Sequence, residues 1–256
     1  MKIHLTSVVV SAGLLAHATS PAVQAAELKV LTAGAYKQVV QALVPDFEKQ
    51  TGHKVVVDNG TTGQLMKRIE GGEAFDLLII TPAAIDELTK TGKLTAGSEV
   101  KLATVVVGVA VKEGAPKPNI STVEKFKQAL LAAKSVAYID PASGGSSGIY
   151  VDNLLGKLGI ADQIRPKAKL KKGGLVADLV ASGEAELGIH QISEIVPVKG
   201  TTLVGPLPRE IQNTTTYAVA LSAMTKNKDA AEALIKTLHG PAAAAVLKAK
   251  GMDLAD

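Results

Sequence analysis

From Glu27 onward, apolar runs of strand length alternate with stretches whose apolar residues recur at helical spacing. Leu28-Lys29-Val30-Leu31 reads as a strand, and Val39, Val40, Leu43, Val44 and Phe47 then mark one face of a helix that stops near Gly52. Residues 54–57 and 76–80 are the next strands, with helices marked by Leu65, Met66 and Ile69 and by residues 85–88. Successive strand-helix units predict parallel neighbours, because a parallel pair needs a crossover connection and an antiparallel pair does not. After a long β-branched run over residues 102–111 the pattern restarts. Helices are predicted over 123–132, 146–158 and 175–180, with strands at 136–139, 168–170 and 187–190. A further strand over 215–221 and helices over 230–238 and 242–249 close the chain. Two α/β blocks joined by long strands predict a two-lobed clam. Residues 26–105 and 208–256 would form lobe I and residues 106–207 lobe II, with chain crossings near Val105 and Pro206 as the hinge. Open α/β sheets bind ligands at the carboxyl ends of their strands, so both lobes should aim helix N-termini into one cleft.

The stretch before Glu27 has a different character. Lys2 supplies a positive start, residues 5–16 are mainly apolar, and Val23-Gln24-Ala25 places small residues where a signal peptidase needs them. Residues 1–25 are therefore expected to be a cleaved export signal, the apolar stretch being shorter than the ~20 residues of a spanning helix. Composition then narrows the chemistry. The chain has 46% hydrophobic and 20% charged residues, which excludes a disordered polymer, and no Cys, which removes disulfides, thiolate metal sites and cysteine nucleophiles. Four Tyr, three Phe and no Trp argue against base-stacking nucleic-acid surfaces, and a net charge of +4 spread along the chain suits anions without making a nucleic-acid binder. Beyond the export signal only His53, His190 and His239 remain, far apart in sequence, so neither a metal site nor any other cofactor is expected.

Four segments fall at strand-to-helix turns: residues 32–36, 59–64, 140–148, and Gly173-Gly174 ahead of Leu175. All are rich in Gly, Ser, Thr or Ala, small residues that leave backbone N–H groups open to an approaching oxygen. One such turn is ordinary helix capping, whereas four around one cleft make an anion site without Arg or Lys. No Ser-His-Asp arrangement is identifiable and no phosphate loop occurs, which leaves acyl transfer without a triad and nucleotide hydrolysis without a motif.

The order Lys29-Val30-Leu31-Thr32-Ala33-Gly34-Ala35, Gly60-Thr61-Thr62-Gly63-Gln64-Leu65, Phe75-Asp76-Leu77-Leu78-Ile79, Asp140-Pro141 with Gly148-Ile149-Tyr150, Gly188-Ile189 and Lys236-Thr237-Leu238-His239-Gly240-Pro241 resembles the periplasmic molybdate-binding proteins of ABC importers. That resemblance implies an α/β, two-lobed periplasmic binding protein fold, each lobe a mainly parallel sheet flanked by helices. It also implies a monomer in the periplasm that closes over a small anion and docks on a membrane permease. Carried over by position, the ligand-binding residues are Ala35 with Tyr36, Thr61, Thr62 and Gly63, Ser146 and Ser147, Gly173 or Gly174, and Gln191. The chain departs from the family where Ala35 replaces a Ser, where His190-Gln191 replaces a motif carrying Tyr, and where the loop after Asp140-Pro141 is one residue longer. Losing a hydroxyl and a phenol leaves a compact tetrahedral dianion with unpaired oxygens, at about 1–3 kcal/mol each. The departures therefore favour a larger organic carboxylate, bound for import.

A branch of the same fold, the aconitate isomerases, acts on such a tricarboxylate and opens an enzymatic alternative. His190 is then the candidate base, because an unperturbed imidazole takes and returns protons near neutrality; its plain alternative is a buried histidine bonded to a carbonyl. Glu194, four residues on, would orient it, and Tyr36 and Lys37 rank behind it.

Overall fold

The computed structural model describes residues 25–255, so the expected export signal lies almost entirely outside the described residues. Strand β1 (Glu27–Ala33) leads directly into helix α1 (Gly34–Thr51), followed by β2 (Lys54–Gly60), α2 (Thr62–Glu70), β3 (Leu77–Ile80) and α3 (Pro82–Lys90). The long strand β4 (Val100–Lys112) carries the chain into the second unit. That unit holds α4 (Val123–Ala132), β5 (Val136–Ile139), α5 (Ser146–Lys157), α6 (Ala161–Ile164), β6 (Ala168–Lys171), α7 (Ala177–Ala181), β7 (Leu187–Gln191) and β8 (Thr201–Pro206). Strand β9 (Thr214–Leu221), helices α8 (Lys228–His239) and α9 (Pro241–Ala249) and the short β10 (Asp253–Leu254) follow.

Strands joined by helical crossovers are parallel: β1 with β2 and β3, and β5 with β6 and β7. The returning strands are antiparallel, β9 to both β3 and β4, and β4 to β7 and β8. Strand β4 belongs to both halves. Its residues 100–106 pair with β9, while from Val107 it pairs with β7 and from Gly108 with β8 as well. At that changeover the Gln212 side chain takes the place of a neighbouring strand, accepting from Val107 N at 3.0 Å and donating to Val107 O at 3.0 Å. The two lobes have separate cores. Helix α1 buries Val39, Val40, Leu43 and Phe47 against β1 and the terminal helices, whereas Phe126, Tyr138, Val151 and Leu155 lie in the core of the other lobe.

Two expectations change. Strand β8 leaves no strand signal in the sequence, because its residues are only half-buried and carry no clean alternation. The helix expected from Leu175 is a five-residue turn starting at Ala177 and ending at Ser182-Gly183, since only Ala177 and Val180 within it pack inward. It is too short to supply a helix N-terminus of any strength.

Candidate functional site

The carboxyl ends of β1, β2, β5 and β7 converge on one partly open pocket of about 30 Å³ between the lobes. Its first wall is Ala33, Gly34 and Ala35 at the start of α1, and its second is Asn59, Gly60, Thr61 and Thr62 at the start of α2. Ser146 and Ser147 open α5 on the opposite lobe, and His190, Gln191 and Glu194 form the floor with Tyr217.

Of the expected residues, Ala35, Thr61, Thr62, Ser146, Ser147, Gly174, His190 and Gln191 meet here. Tyr36 does not: one position further along α1, its ring turns into the core and its hydroxyl donates to Leu238 O at 3.1 Å. Gly173 lies beside the Gln64 side chain instead of the pocket. Ser143 is also occupied elsewhere, its hydroxyl donating back to Asp140 O at 2.7 Å.

Thr61 and Gly63 contribute to closure. Thr61 forms a capping box with Gln64, accepting from Gln64 N at 3.2 Å while its own N–H donates to Gln64 Oε1 at 2.9 Å. The same hydroxyl donates across the cleft to Ser143 O. Gln64 Nε2 reaches Lys172 O at 2.8 Å, and Gly63 N donates to Gly144 O at 3.2 Å. Gly144 sits at φ +73°, a conformation that favours glycine, and a Cβ on Gly63 would stand 2.8 Å from Gly144 Cα. Gly63→Ala is therefore expected to hold the lobes apart without disturbing either core. Small-angle scattering of the ligand-free variant should give a larger radius of gyration than wild type, and superimposable curves would show that the contact does not limit closure.

Tyr217 is the pocket residue that sequence reasoning misses. Nothing local marks it, since it stands in the Thr-rich strand β9, 71 residues from Ser146. The alternation of a strand puts Thr215 and Tyr217 on one face, and both meet Gln191 Nε2 at 3.2 Å. The Tyr217 hydroxyl also lies 3.3 Å from Ser146 Oγ, so a phenol reaches the pocket from a different strand than the resemblance implied. Burial raises its proton affinity further above the ordinary phenol range, with the Glu194 carboxyl adding to the effect.

The floor carries the ionisable chemistry. A short turn, Ile192–Glu194, follows β7 and brings Glu194 back onto His190, with Nε2 and Oε2 3.2 Å apart and both side chains almost wholly buried. Room for this carboxyl exists because position 34 lacks a side chain: a Cβ there would lie 2.5 Å from Glu194 Oε1. Burial pushes the imidazole down to about 3, with the Lys171 charge adding to the shift, and pushes the carboxyl up to about 8. The pair is thus neutral near pH 6 rather than an ion pair. His190 Nδ1 is buried with no hydrogen-bond partner in the protein.

A family model of bacterial extracellular solute-binding proteins matches residues 28–253. The chain belongs to that family. Among its relatives, an aconitate isomerase of a Pseudomonas species is 33% identical over 231 residues, covering 88% of this chain and 87% of that protein. The molybdate-binding protein ModA of Azotobacter vinelandii is 32% identical over 257 residues, covering 96% of each. In structure, the Azotobacter vinelandii periplasmic molybdate-binding protein superposes with a TM-score of 0.76 at 24% identity, over 90% of this chain and 100% of that one. The sulfate-binding protein SubI from Mycobacterium tuberculosis gives 0.71 at 17% identity, over 90% and 88%. These likenesses confirm the two-lobed fold. In this solute-binding protein no helix among the described residues is long and apolar enough to cross a membrane.

The floor pair gives the stability of this solute-binding protein a defined pH response. Glu194 is harder to ionise folded than unfolded, so its contribution is present below pH 4.5 and is lost as pH rises toward 8. His190 is harder to protonate folded, so its contribution is present above pH 6.5 and is lost as pH falls toward 3. The two offset each other between pH 4.5 and 6.5. Glu194→Gln should therefore melt closer to wild type at pH 5 than at pH 8, where the variant should gain. Parallel melting curves at the two pH values would contradict the assignment.

Proposed function

We propose that this protein is a periplasmic enzyme that moves an allylic proton within a small unsaturated polycarboxylate, the reaction class named by its aconitate isomerase relative. The observation that carries this reading is the buried His190–Glu194 pair at 3.2 Å in the wall of the interlobe pocket. A site for simple anion capture has no use for a base, whereas a proton shift between carbons requires one. The His190 imidazole takes the proton from the methylene carbon, the double bond migrates, and the same ring nitrogen returns the proton to the far end of the allyl unit. Negative charge develops on the conjugated carboxylate in between, where the N–H groups opening α2 and α5 and the hydroxyls of Ser146 and Tyr217 stabilise it. Glu194 holds the ring through Nε2. The substrate carboxylates lie on the Thr61-Thr62 and Ser146-Ser147 turns, and no cofactor takes part.

A second reading has its own support. The family model is one of solute-binding proteins, and two of the relatives are molybdate-binding proteins. A monomeric capture protein would instead close over its anion and present both lobe rims to an ABC permease. Incubation with cis-aconitate followed by chromatography decides between them. Appearance of trans-aconitate supports the enzyme, while calorimetric binding of the carboxylate without turnover assigns the protein to import.

A further inference from the structure

We infer that Glu194 is a specificity-determining residue, one that keeps tetrahedral oxyanions out of the cleft by occupying the space at the N-terminus of α1. This inference rests on the reading of Glu194 as part of a proton-transfer floor and extends it to substrate selection. At 18 residues α1 is the longest helix to open on the pocket, and its N-cap residue, Ala33, makes no side-chain cap bond. Its first turn is thus the natural seat for an anionic oxygen in this fold. The Glu194 carboxyl lies beside that turn, its Oε1 2.5 Å from where a Cβ on Gly34 would stand and its Oε2 3.2 Å from His190 Nε2.

A second observation points the same way. Gln191 Oε1 is buried without a hydrogen-bond partner, and Gln191 belongs to the same pocket wall. An acceptor in that position offers nothing to the oxygens of any deprotonated anion, and a compact tetrahedral dianion has less freedom than a longer ligand to place its oxygens away from it. The remaining donors, at the starts of α2 and α5, lie on facing walls. Two well-separated carboxylates of one organic ligand suit that arrangement, while a compact ion satisfied on those walls meets carboxyl and amide oxygens on the others.

The test is a gain of binding. Sodium molybdate is titrated by calorimetry into wild type, Glu194→Ala and Glu194→Gln at one pH, with folding checked by circular dichroism and melting. Wild type should bind weakly, and Glu194→Ala, which empties the seat, should bind at least about tenfold tighter, the equivalent of one recovered hydrogen bond. Glu194→Gln fills the same space and should be indistinguishable from wild type. Glu194→Ser serves the same purpose should the alanine variant melt below the assay temperature. Tight molybdate binding by wild type, no gain in a folded alanine or serine variant, or an equal gain with glutamine would each overturn the inference. Turnover of cis-aconitate by wild type, measured alongside, reports separately on the enzymatic reading.

Discussion

His190→Ala is expected to lose interconversion of cis- and trans-aconitate almost completely while still binding the carboxylate. In the proposed reaction the His190 imidazole, which lines the pocket, is the base, and Glu194 lies 3.2 Å from its Nε2. Removing a positioned base typically costs about 10² to 10⁴ in rate, and the loss should fall on kcat with KM nearly unchanged, because the proton is transferred only in the transition state. Glu194→Gln should retain part of the activity, since a side chain of the same shape still packs beside the ring. Equal rates in wild type and His190→Ala would return the histidine to a packing role.

The second large effect concerns stability. Gly148, in the first turn of α5, lies directly over the end of β5: a Cβ there would overlap Ile139 O and stand 2.8 Å from Ile139 C. Backbone on both sides leaves nothing able to yield, so Gly148→Ala is expected to cost about 3 kcal/mol, the upper end of ordinary overpacking. For a chain of this size that corresponds to a fall in Tm of roughly 6–12 °C. Gly156, in the same helix, has nothing within 4 Å of its added Cβ, so Gly156→Ala should instead stabilise by about 0.5–1 kcal/mol. Differential scanning calorimetry of the two variants makes the comparison, and a harmless Gly148→Ala would mean that α5 sits more loosely on β5. The Gly148-Ile149-Tyr150 motif is thus explained by packing. Close approach of α5 to the sheet brings Ser146 and Ser147 to the pocket, and Tyr150 donates to Ile211 O in the segment between β8 and β9.

Several features of the site are legible in the sequence because they arise locally. A strand of alternating or continuous apolar residues followed by a Gly-, Ser- or Thr-rich turn and a helical stripe specifies where a helix N-terminus will be, and Thr61, Thr62, Ser146 and Ser147, read in that way, line the pocket. His190 and Gln191, at the end of a buried strand, follow from the same logic. Tyr36 shows its limit, since one step along a helix turns a side chain by about 100° and takes that ring from the cleft into the core.

Hydrophobic period and turn chemistry are encoded within windows of a few residues, so the alternation of elements, and through it the two-lobed architecture, follows from the chain read end to end. Which groups face one another across long separations is a product of assembly. Tyr217 meets Ser146 across 71 residues, and Gly63 abuts Gly144 so closely that neither tolerates a side chain. The Glu194 carboxyl fits beside His190 because Gly34, from a distant strand-helix turn, leaves it room. The proton affinities of that pair likewise follow from desolvation, a property of the assembled surroundings that no window of residues carries.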